Sequence, residues 1–252
     1  MGALHEGHLS LVRAARRENK VVAVSIFVNP AQFGPKEDFK KYPRPARADR
    51  RLLQKEKTDY LFAPSPEAMY PKDFSTFVEI DPSLANVLCG KSRPDHFRGV
   101  ATVVAKLFQI AKPHRAYFGA KDYQQTVVIR RMVCDLNFDT AIRVLPTVRE
   151  SGGLAMSSRN QYLSPSERER ARVVSQVLFW LRDEIRAGRR GLAGLKGEAL
   201  RRLKQKADRI DYLEIVDPET LVPLKRFQPQ MAAVAACFVG KTRLIDNVII
   251  RA

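Results

Sequence analysis

The stretch HEGHLSLVRAARRENKVVAVSIFV, residues 5–28, contains the pattern that decides the fold. Over residues 9–19 the apolar side chains recur at helical spacing, and over residues 21–28 they form a nearly continuous run rich in β-branched residues. A run of that kind is typical of a strand buried on both faces. A helix followed by a buried strand begins an α/β alternation, which predicts a parallel sheet covered by helices.

The same alternation continues downstream to residue 147. Apolar periodicity predicts further helices and strands, the helices at 45–57, 100–111 and 123–136 and the strands at 60–63, 115–118 and 142–145. We therefore predict an α/β fold, with a Rossmann-like doubly wound parallel sheet formed by residues 1–147.

From residue 148 onward the sequence predicts a smaller α+β lid domain, residues 148–252. Ser164 and Glu167 form a capping-box pattern that predicts the start of a long helix reaching residue 187, interrupted by the glycines of 188–197. Strands are predicted at 212–216, 231–238 and 242–246, with Gly240-Lys241 as a tight hairpin turn between the last two.

Composition excludes several classes of protein. The chain has 252 residues, with 44 Lys and Arg against 27 Asp and Glu, a net charge of +17. No apolar run approaches the roughly 20 residues of a membrane helix, and no signal-peptide core is present, so we expect a cytoplasmic protein without membrane contact. Its three cysteines lack metal-binding or disulfide spacing. Acidic residues are mixed among the basic ones, which favours a solvated basic surface and no nucleic-acid partner.

The HEGH segment at residues 5–8 is the first candidate for chemistry. It places His5, Gly7 and His8 at a predicted helix N-terminus, where unpaired backbone N–H groups and the helix dipole favour phosphate. A histidine pair this close to a chain end has an alternative, incidental reading, and a zinc site needs additional ligands. Other segments must therefore decide its role.

Polar loops follow two of the predicted strands, where ligands bind in open α/β sheets. FVNPAQFG, residues 27–34, contains Asn29 and Gln32, which are suited to hydrogen-bond a small polar substrate. FGAKDYQQ, residues 118–125, adds Lys121 for phosphate charge and two glutamines. The first loop has the alternative of a simple Asn-Pro turn.

A third polar segment, MSSRNQYL at residues 156–163, lies in a Gly-rich stretch that is predicted not to be helical. Ser157, Ser158 and Arg159 are suited to hold phosphate. The alternative is an Arg-bearing linker between domains.

Together these segments resemble one family, pantothenate synthetase, the pantoate and β-alanine ligase of the HxGH nucleotidyl-transferase superfamily. The resemblance covers almost the whole chain, through MGALHEGHLSL (1–11), FVNPAQFG, YPR (42–44), MYP (69–71), RPDHFRGVATVVAKLF (93–108), FGAKDYQQ, MSSRNQYL and RLIDN (243–247). It implies formation of a pantoyl adenylate from pantoate and ATP with release of pyrophosphate. Attack by the β-alanine amine then gives pantothenate and AMP. The resemblance also implies Mg²⁺ with the ATP, and a homodimer.

The resemblance also assigns residues. It places an ATP site on three segments and one further position: Met1, Gly2, Ala3, Leu4, His5, Glu6, Gly7 and His8; Gly119, Ala120, Lys121 and Asp122; Met156, Ser157, Ser158 and Arg159; and Val148 near the adenine. The catalytic candidates are His8 as proton donor, with His5, Lys121 and Arg159 around the phosphates. Gln32, Gln125 and Asn29 are expected to bind pantoate and β-alanine, and Asp49 is expected near Mg²⁺.

The chain departs from the family pattern at three places. Ala120 stands where the family has an acidic residue, and Asp95 where it usually has Gly or Thr. We expect both to tune activity rather than abolish it. In the family a buried strand and a VPT-like turn precede MGALH, so we hypothesise that the true start lies upstream of Met1 or that the sequence is shortened.

Three rival functions remain open at this point. A relative of class I aminoacyl-tRNA synthetases would share the HxGH motif, the adenylate intermediate and an MSSR-like loop. This sequence, however, shows no evident tRNA-binding appendage. A coenzyme or NAD-type adenylyltransferase transfers AMP to a phosphate and does not need Gln32 and Gln125. A non-catalytic nucleic-acid-binding protein would account for the net charge of +17. ATP/pyrophosphate exchange driven only by pantoate separates the ligase from the first two, and salt-sensitive DNA or RNA binding without ATP turnover would support the third.

Overall fold

The structure, a computed structural model, describes residues 1–35 and 37–251. The chain divides into two compact units. The first consists of Met1–Gly119 and Gln124–Pro146, and the second of Ala120–Tyr123 together with the chain from Thr147 onward.

The first unit alternates helices with parallel strands, which confirms the predicted α/β class. Its helices are α1 (Glu6–Glu18), α2 (Ala46–Lys55), α3 (Pro66–Met69), α4 (Pro82–Ala85), α5 (Cys89–Ser92), α6 (His96–Ala111) and α7 (Tyr123–Asp135). Its strands are β1 (Ala23–Ser25), β2 (Tyr60–Phe62), β3 (Arg115–Gly119) and β4 (Ala141–Leu145). Among the described residues, β1 pairs in parallel with β2 and β3 with β4, as separate two-stranded sheets.

The strand predicted at 21–28 is shorter and less buried than expected. Only Ala23–Ser25 is strand, and beyond it the backbone N–H of Ile26 donates to the carbonyl of Phe62 at 2.9 Å and that of Phe27 to the carbonyl of Met1 at 3.1 Å. Burial alternates, with Val24 buried against α1 and α2 while Val21 is 61% exposed. The prediction of a strand buried on both faces is therefore wrong, since packing covers one face only.

The second unit packs helices on an antiparallel sheet. Its helices are α8 (Pro165–Ala171), α9 (Val173–Arg186) and α10 (Leu192–Lys204), and its strands are β5 (Arg209–Val216), β6 (Gln230–Val239) and β7 (Thr242–Arg251). The strand order is β5-β6-β7, and α9 and α10 bury their apolar faces against this sheet. The predicted hairpin turn is present, with Gly240 at a φ of 56°.

The predicted long helix of the second unit is wrong at two points. Its start is confirmed, since Ser164 and Glu167 form a complete capping box. It breaks at Arg172, however, whose N–H bonds back to Glu169 and Arg170 and separates α8 from α9. The non-helical glycine stretch ends at Gly191, since α10 begins at Leu192 and includes Gly194 and Gly197. The buried leucines of α10 outweigh the helix cost of glycine, about 1 kcal/mol each.

In the part of the chain that the structure describes, no helix has both the length and the apolar character needed to cross a lipid bilayer.

Candidate active site

The two histidines of HEGH cap the first turn of α1. Nδ1 of His5, the N-cap residue, accepts the N–H of Gly7 at 3.2 Å, and Nδ1 of His8 accepts the N–H of His5 at 3.3 Å. Their ring centroids are 4.1 Å apart. This is a capping box built from imidazoles. Because each Nδ1 accepts a backbone N–H, the neutral form of each ring carries its proton on Nε2.

The backbone before α1 is anchored by Asp49 of α2. One carboxylate oxygen of Asp49 accepts the N–H of Ala3 at 2.9 Å, and the other accepts that of Leu4 at 2.8 Å. Asp49 is only 1% exposed, and it holds Ala3 at a φ of 51°. The sequence predicts Asp49 near a metal, but the structure directs both of its oxygens to backbone amides. Its contacts make it the anchor of the loop that presents His5.

The loop after β1 is organised around Asn29. This side chain is 2% exposed, and its amide bonds to Tyr70, Gly99, the N–H of Ala31 and the side chain of Gln32. Asn29 is thus buried and makes four hydrogen bonds, all within the first unit. The partly exposed Gln32, at the end of the 3₁₀ turn Pro30–Gln32, is the amide available at this loop.

Residues of the RPDHF segment hold this turn from the other side. Nδ1 of His96 lies 2.8 Å from the carbonyl of Gln32, and Arg93 Nη2 donates to the same carbonyl at 3.3 Å. Arg93 also pairs with both oxygens of Glu37, which lowers the pKa of that carboxyl. A Cβ on Gly99 would lie 2.2 Å from the carbonyl oxygen of Ala31, so only glycine allows this close packing. The sequence analysis assigned none of these roles.

The two adjacent glutamines of FGAKDYQQ differ in their surroundings. Gln124 is 5% exposed and bonds to the backbone of Leu84, Val87 and Cys89 at 2.8–2.9 Å. It is therefore a packing residue. Gln125, the predicted substrate residue, is partly exposed in the first turn of α7.

In the second unit, Asn247 holds the turn that carries Lys121. Its buried amide donates to the carbonyls of Ala120 and Lys121 at 2.8 and 3.0 Å. The turn is 3₁₀ helical, and Lys121 Nζ lies 3.8 Å from a carboxylate oxygen of Asp122. The RLIDN motif thus contributes a backbone anchor, a role that the sequence did not reveal.

The segment around MSSR is held in a similar way. Met156 donates its N–H to the carbonyl of Val148 at 3.0 Å, which brings these two predicted ATP-site residues together. Ser157 caps a 3₁₀ helix, Ser158–Tyr162, that contains Arg159. Asn160, 2% exposed, donates to Glu150 and to the carbonyl of Ala155.

A buried ion pair supports the same region. Arg149 donates to both carboxylate oxygens of Asp246, at 2.6 and 2.9 Å, and its guanidinium also bonds the carbonyl of Gly153. Asp246 is 4% exposed, so the pair is largely shielded from water. It ties Arg149, the neighbour of Val148, to Asp246 of β7.

The predicted residues are divided between the two units. In the first unit, the hydrogen bond from the N–H of Phe27 to the carbonyl of Met1 brings the loop before α1 beside the loop after β1. Glu6 is exposed and forms an ion pair with Arg13. Gly119 is the last residue of β3. In the second, the Lys121 turn and residues 156–159 lie near Asn247 and Val148 respectively. Within residues 1–35 and 37–251, no group of three or more His, Cys, Asp or Glu side chains is arranged to hold a metal ion.

Comparison with known proteins identifies relatives over nearly the full length. A family model described as pantoate-beta-alanine ligase matches residues 1–249. A pantothenate synthetase from Thermotoga neapolitana is 57% identical over 252 residues, covering 99% of this chain and 89% of that protein. One from Thermotoga petrophila is 56% identical over 251 residues, with the same coverage.

Solved structures agree with this comparison. Pantothenate synthetase from Thermus thermophilus superposes with a TM-score of 0.96 at 49% identity, covering 98% of this chain and 90% of that one. A pantoate-beta-alanine ligase from Francisella tularensis, complexed with beta-gamma ATP and beta-alanine, gives a TM-score of 0.81 at 37% identity, covering 99% and 87%. By sequence and by structure, this chain belongs to the pantoate-beta-alanine ligase family.

Proposed function

We propose that this chain joins (R)-pantoate to β-alanine, with conversion of ATP to AMP and pyrophosphate, through a pantoyl adenylate. Family membership supports the overall reaction. The observation that carries the mechanism is the imidazole capping box, which places the side chains of His5 and His8 at the N-terminus of α1. Such a site favours the negative charge of phosphate.

The first step needs positioning more than a protein nucleophile. A carboxylate oxygen of pantoate attacks the α-phosphorus, the new O–P bond forms, and the bond to pyrophosphate breaks. Donors that match the charge developing on the phosphate oxygens lower this barrier. We assign His8 as the residue that donates its Nε2 proton to a phosphate oxygen, with His5 as a second donor.

The phosphate contacts of the second unit complete this assignment. We propose that Lys121, Ser157, Ser158 and Arg159 neutralise and orient the phosphates, as charged and hydroxyl donors do. Val148 and Met156, joined by a backbone hydrogen bond, are assigned to the nucleotide with Gly119, Ala120 and Asp122.

The second step forms the amide bond. The amine of β-alanine attacks the carbonyl carbon of the adenylate, and AMP leaves with the former pantoate oxygen. We assign Gln32 and Gln125 to pantoate, and Gln32 also to β-alanine. Asn29 acts through Gln32, because its own amide is buried and fully bonded.

Mg²⁺ is proposed to accompany ATP, since magnesium in such enzymes is bound largely by substrate phosphates with one or two carboxylates. Asp49 is buried, and each of its oxygens accepts a backbone N–H, so its contacts support an anchoring role. We therefore assign Asp49 the role of anchoring the loop before α1.

The remaining proposals concern organisation. We propose a Rossmann-like ATP and pantoate domain at residues 1–147, a lid domain at 148–252, a homodimer and a cytoplasmic location. Light scattering coupled to gel filtration tests the homodimer, since it returns the mass of one or of two 28.6 kDa chains.

The function is tested by product analysis. The purified chain, incubated with ATP, Mg²⁺, pantoate and β-alanine, is expected to yield pantothenate and AMP in equal amounts, as measured by mass spectrometry. Omission of any one substrate should abolish pantothenate. Formation of ADP instead of AMP, or no pantothenate with all substrates present, would overturn the proposal.

A further inference from the structure

We infer that Tyr70 is a positioning residue that fixes which end of the Gln32 amide faces the substrate, so that Gln32 presents its N–H donors. This inference rests on the proposed function, because it takes Gln32 as a substrate contact. It concerns residues of the first unit only.

The orientation of the Asn29 amide follows from two backbone groups that have fixed roles. The carbonyl of Gly99 can only accept, so the atom 3.0 Å from it must be the amide nitrogen of Asn29. The N–H of Ala31 can only donate, so the atom 3.3 Å from it must be the amide oxygen. The buried Asn29 side chain therefore has one satisfactory orientation.

Asn29 in turn orients Gln32. The amide nitrogen of Asn29 lies 3.1 Å from the side-chain oxygen of Gln32, so a donor faces an acceptor. The NH₂ group of Gln32 then points away from Asn29. The backbone of Gln32 is held by His96 and Arg93 at its carbonyl, which keeps the side chain at this position.

Tyr70 contacts the amide oxygen of Asn29, at the opposite end of the amide from the nitrogen that faces Gln32. Its hydroxyl donates to the amide oxygen of Asn29 at 2.8 Å, shorter than the 3.3 Å bond from Ala31. Burial raises the pKa of Tyr70 to about 12, so the hydroxyl keeps its proton at neutral pH. Phe74 packs edge-on against the Tyr70 ring, with centroids 5.1 Å apart, and limits its movement. Loss of this hydroxyl removes the shortest bond to the Asn29 amide oxygen.

The polarity of Gln32 has a consequence for substrate choice. An N–H donor recognises an oxygen acceptor, such as a hydroxyl or carboxylate oxygen of pantoate. A site that presents a donor rejects an analogue whose matching group is an ammonium, because two donors then face each other.

The test measures pantoate and ATP dependence in ATP/pyrophosphate exchange for Tyr70→Phe. Loss of one neutral hydrogen bond is expected to raise the KM for pantoate about five- to tenfold, with the KM for ATP changed by less than about twofold. Tyr60→Phe is the matched control, because Tyr60 is 66% exposed and should leave both values unchanged. An unchanged pantoate KM in Tyr70→Phe, or an equal rise in both constants, would overturn the inference.

A double-mutant cycle tests the route of the effect. Gln32→Glu keeps the shape of the side chain but removes its donors, and is expected to raise the pantoate KM by about a hundredfold or more. If Tyr70 acts through Gln32, adding Tyr70→Phe to Gln32→Glu has little further effect. Additive effects, or a Gln32→Glu enzyme with normal pantoate affinity, would contradict the inferred polarity. An unmodified chain without any exchange would instead overturn the proposed function itself.

Discussion

A buried side chain holds the backbone of a polar segment in both units, Asp49 in the first and Asn247 in the second, but in the first unit candidate side chains also form part of the local structure. In the first unit, the side chains of the segment itself are engaged, since His5 and His8 cap α1 and Asn29 bonds in four directions. In the second unit, buried residues from elsewhere hold the backbone, with Asn247 bonding the carbonyls of Ala120 and Lys121. A substitution in the first unit therefore changes both chemistry and local structure unless it keeps the capping hydrogen bond. In the second unit, the anchoring residue Asn247 is a different residue from the side chains assigned to phosphate, so the two can be substituted independently.

The largest expected effect is on activity at His8. His8→Gln keeps an acceptor for the N–H of His5 but replaces the imidazole, the assigned proton donor, with an amide that does not transfer a proton. The rate of pantothenate formation is expected to fall about 10²–10⁴-fold, while the unfolding temperature changes little. His8→Ala, which loses the cap as well, should show the same loss of rate with an added destabilisation of about 1 kcal/mol. Normal activity in His8→Gln would remove the proton-donor assignment.

Two glycine-to-alanine substitutions, one in each unit, compare how tightly the two sites are packed. Gly99→Ala is expected to destabilise the first unit by about 3 kcal/mol or more, because its Cβ would lie 2.2 Å from the carbonyl oxygen of Ala31. Gly194→Ala, inside α10 with no atom within 4 Å of the added Cβ, should stabilise the protein by about 1 kcal/mol. Urea unfolding of both variants measures the difference. Equal effects of the two substitutions would contradict the close packing at Gly99.

Asn247→Ala tests whether loss of the second-unit anchor affects stability and ATP binding but not pantoate binding. It leaves the carbonyls of Ala120 and Lys121 without this donor and is expected to cost about 1–3 kcal/mol of unfolding free energy. The KM for ATP should rise, whereas the KM for pantoate should stay the same. Lys121→Met provides the comparison, because it is expected to reduce phosphate binding without that loss of stability. A matching rise in the pantoate KM of Asn247→Ala would contradict the separation.

The smallest effect concerns pH and Cys237, in the core of the second unit. Burial raises the pKa of this thiol to about 12 from an ordinary 9. The folded thiol therefore stays protonated while the unfolded one ionises, so its contribution to stability is complete below pH 9 and declines as pH rises from 9 towards 12. Cys237→Ala should make the alkaline fall in unfolding free energy shallower by up to about 1.4 kcal/mol per pH unit. Parallel pH profiles for the two proteins would rule this out.

What the sequence predicts and what it misses differ in contact range. The Ser164 cap, the Gly240 turn and the position of HEGH at a helix start all depend on neighbours within a few residues, and they were predictable. Asp49 reaches Ala3 across 46 positions, and Asn247 reaches Ala120 across 127. No local pattern indicates such partners. Gly194 was misjudged for the same reason, because the core that keeps α10 helical is formed by distant strands.

The most direct test of the proposed chemistry follows an oxygen atom. Pantoate labelled with ¹⁸O in its carboxylate is incubated with ATP, β-alanine and the purified chain, and the products are analysed by mass spectrometry. If a pantoyl adenylate forms, the bridging oxygen stays with phosphorus, and each AMP carries one ¹⁸O. Unlabelled AMP, or label recovered in inorganic phosphate beside ADP, would contradict the adenylate mechanism.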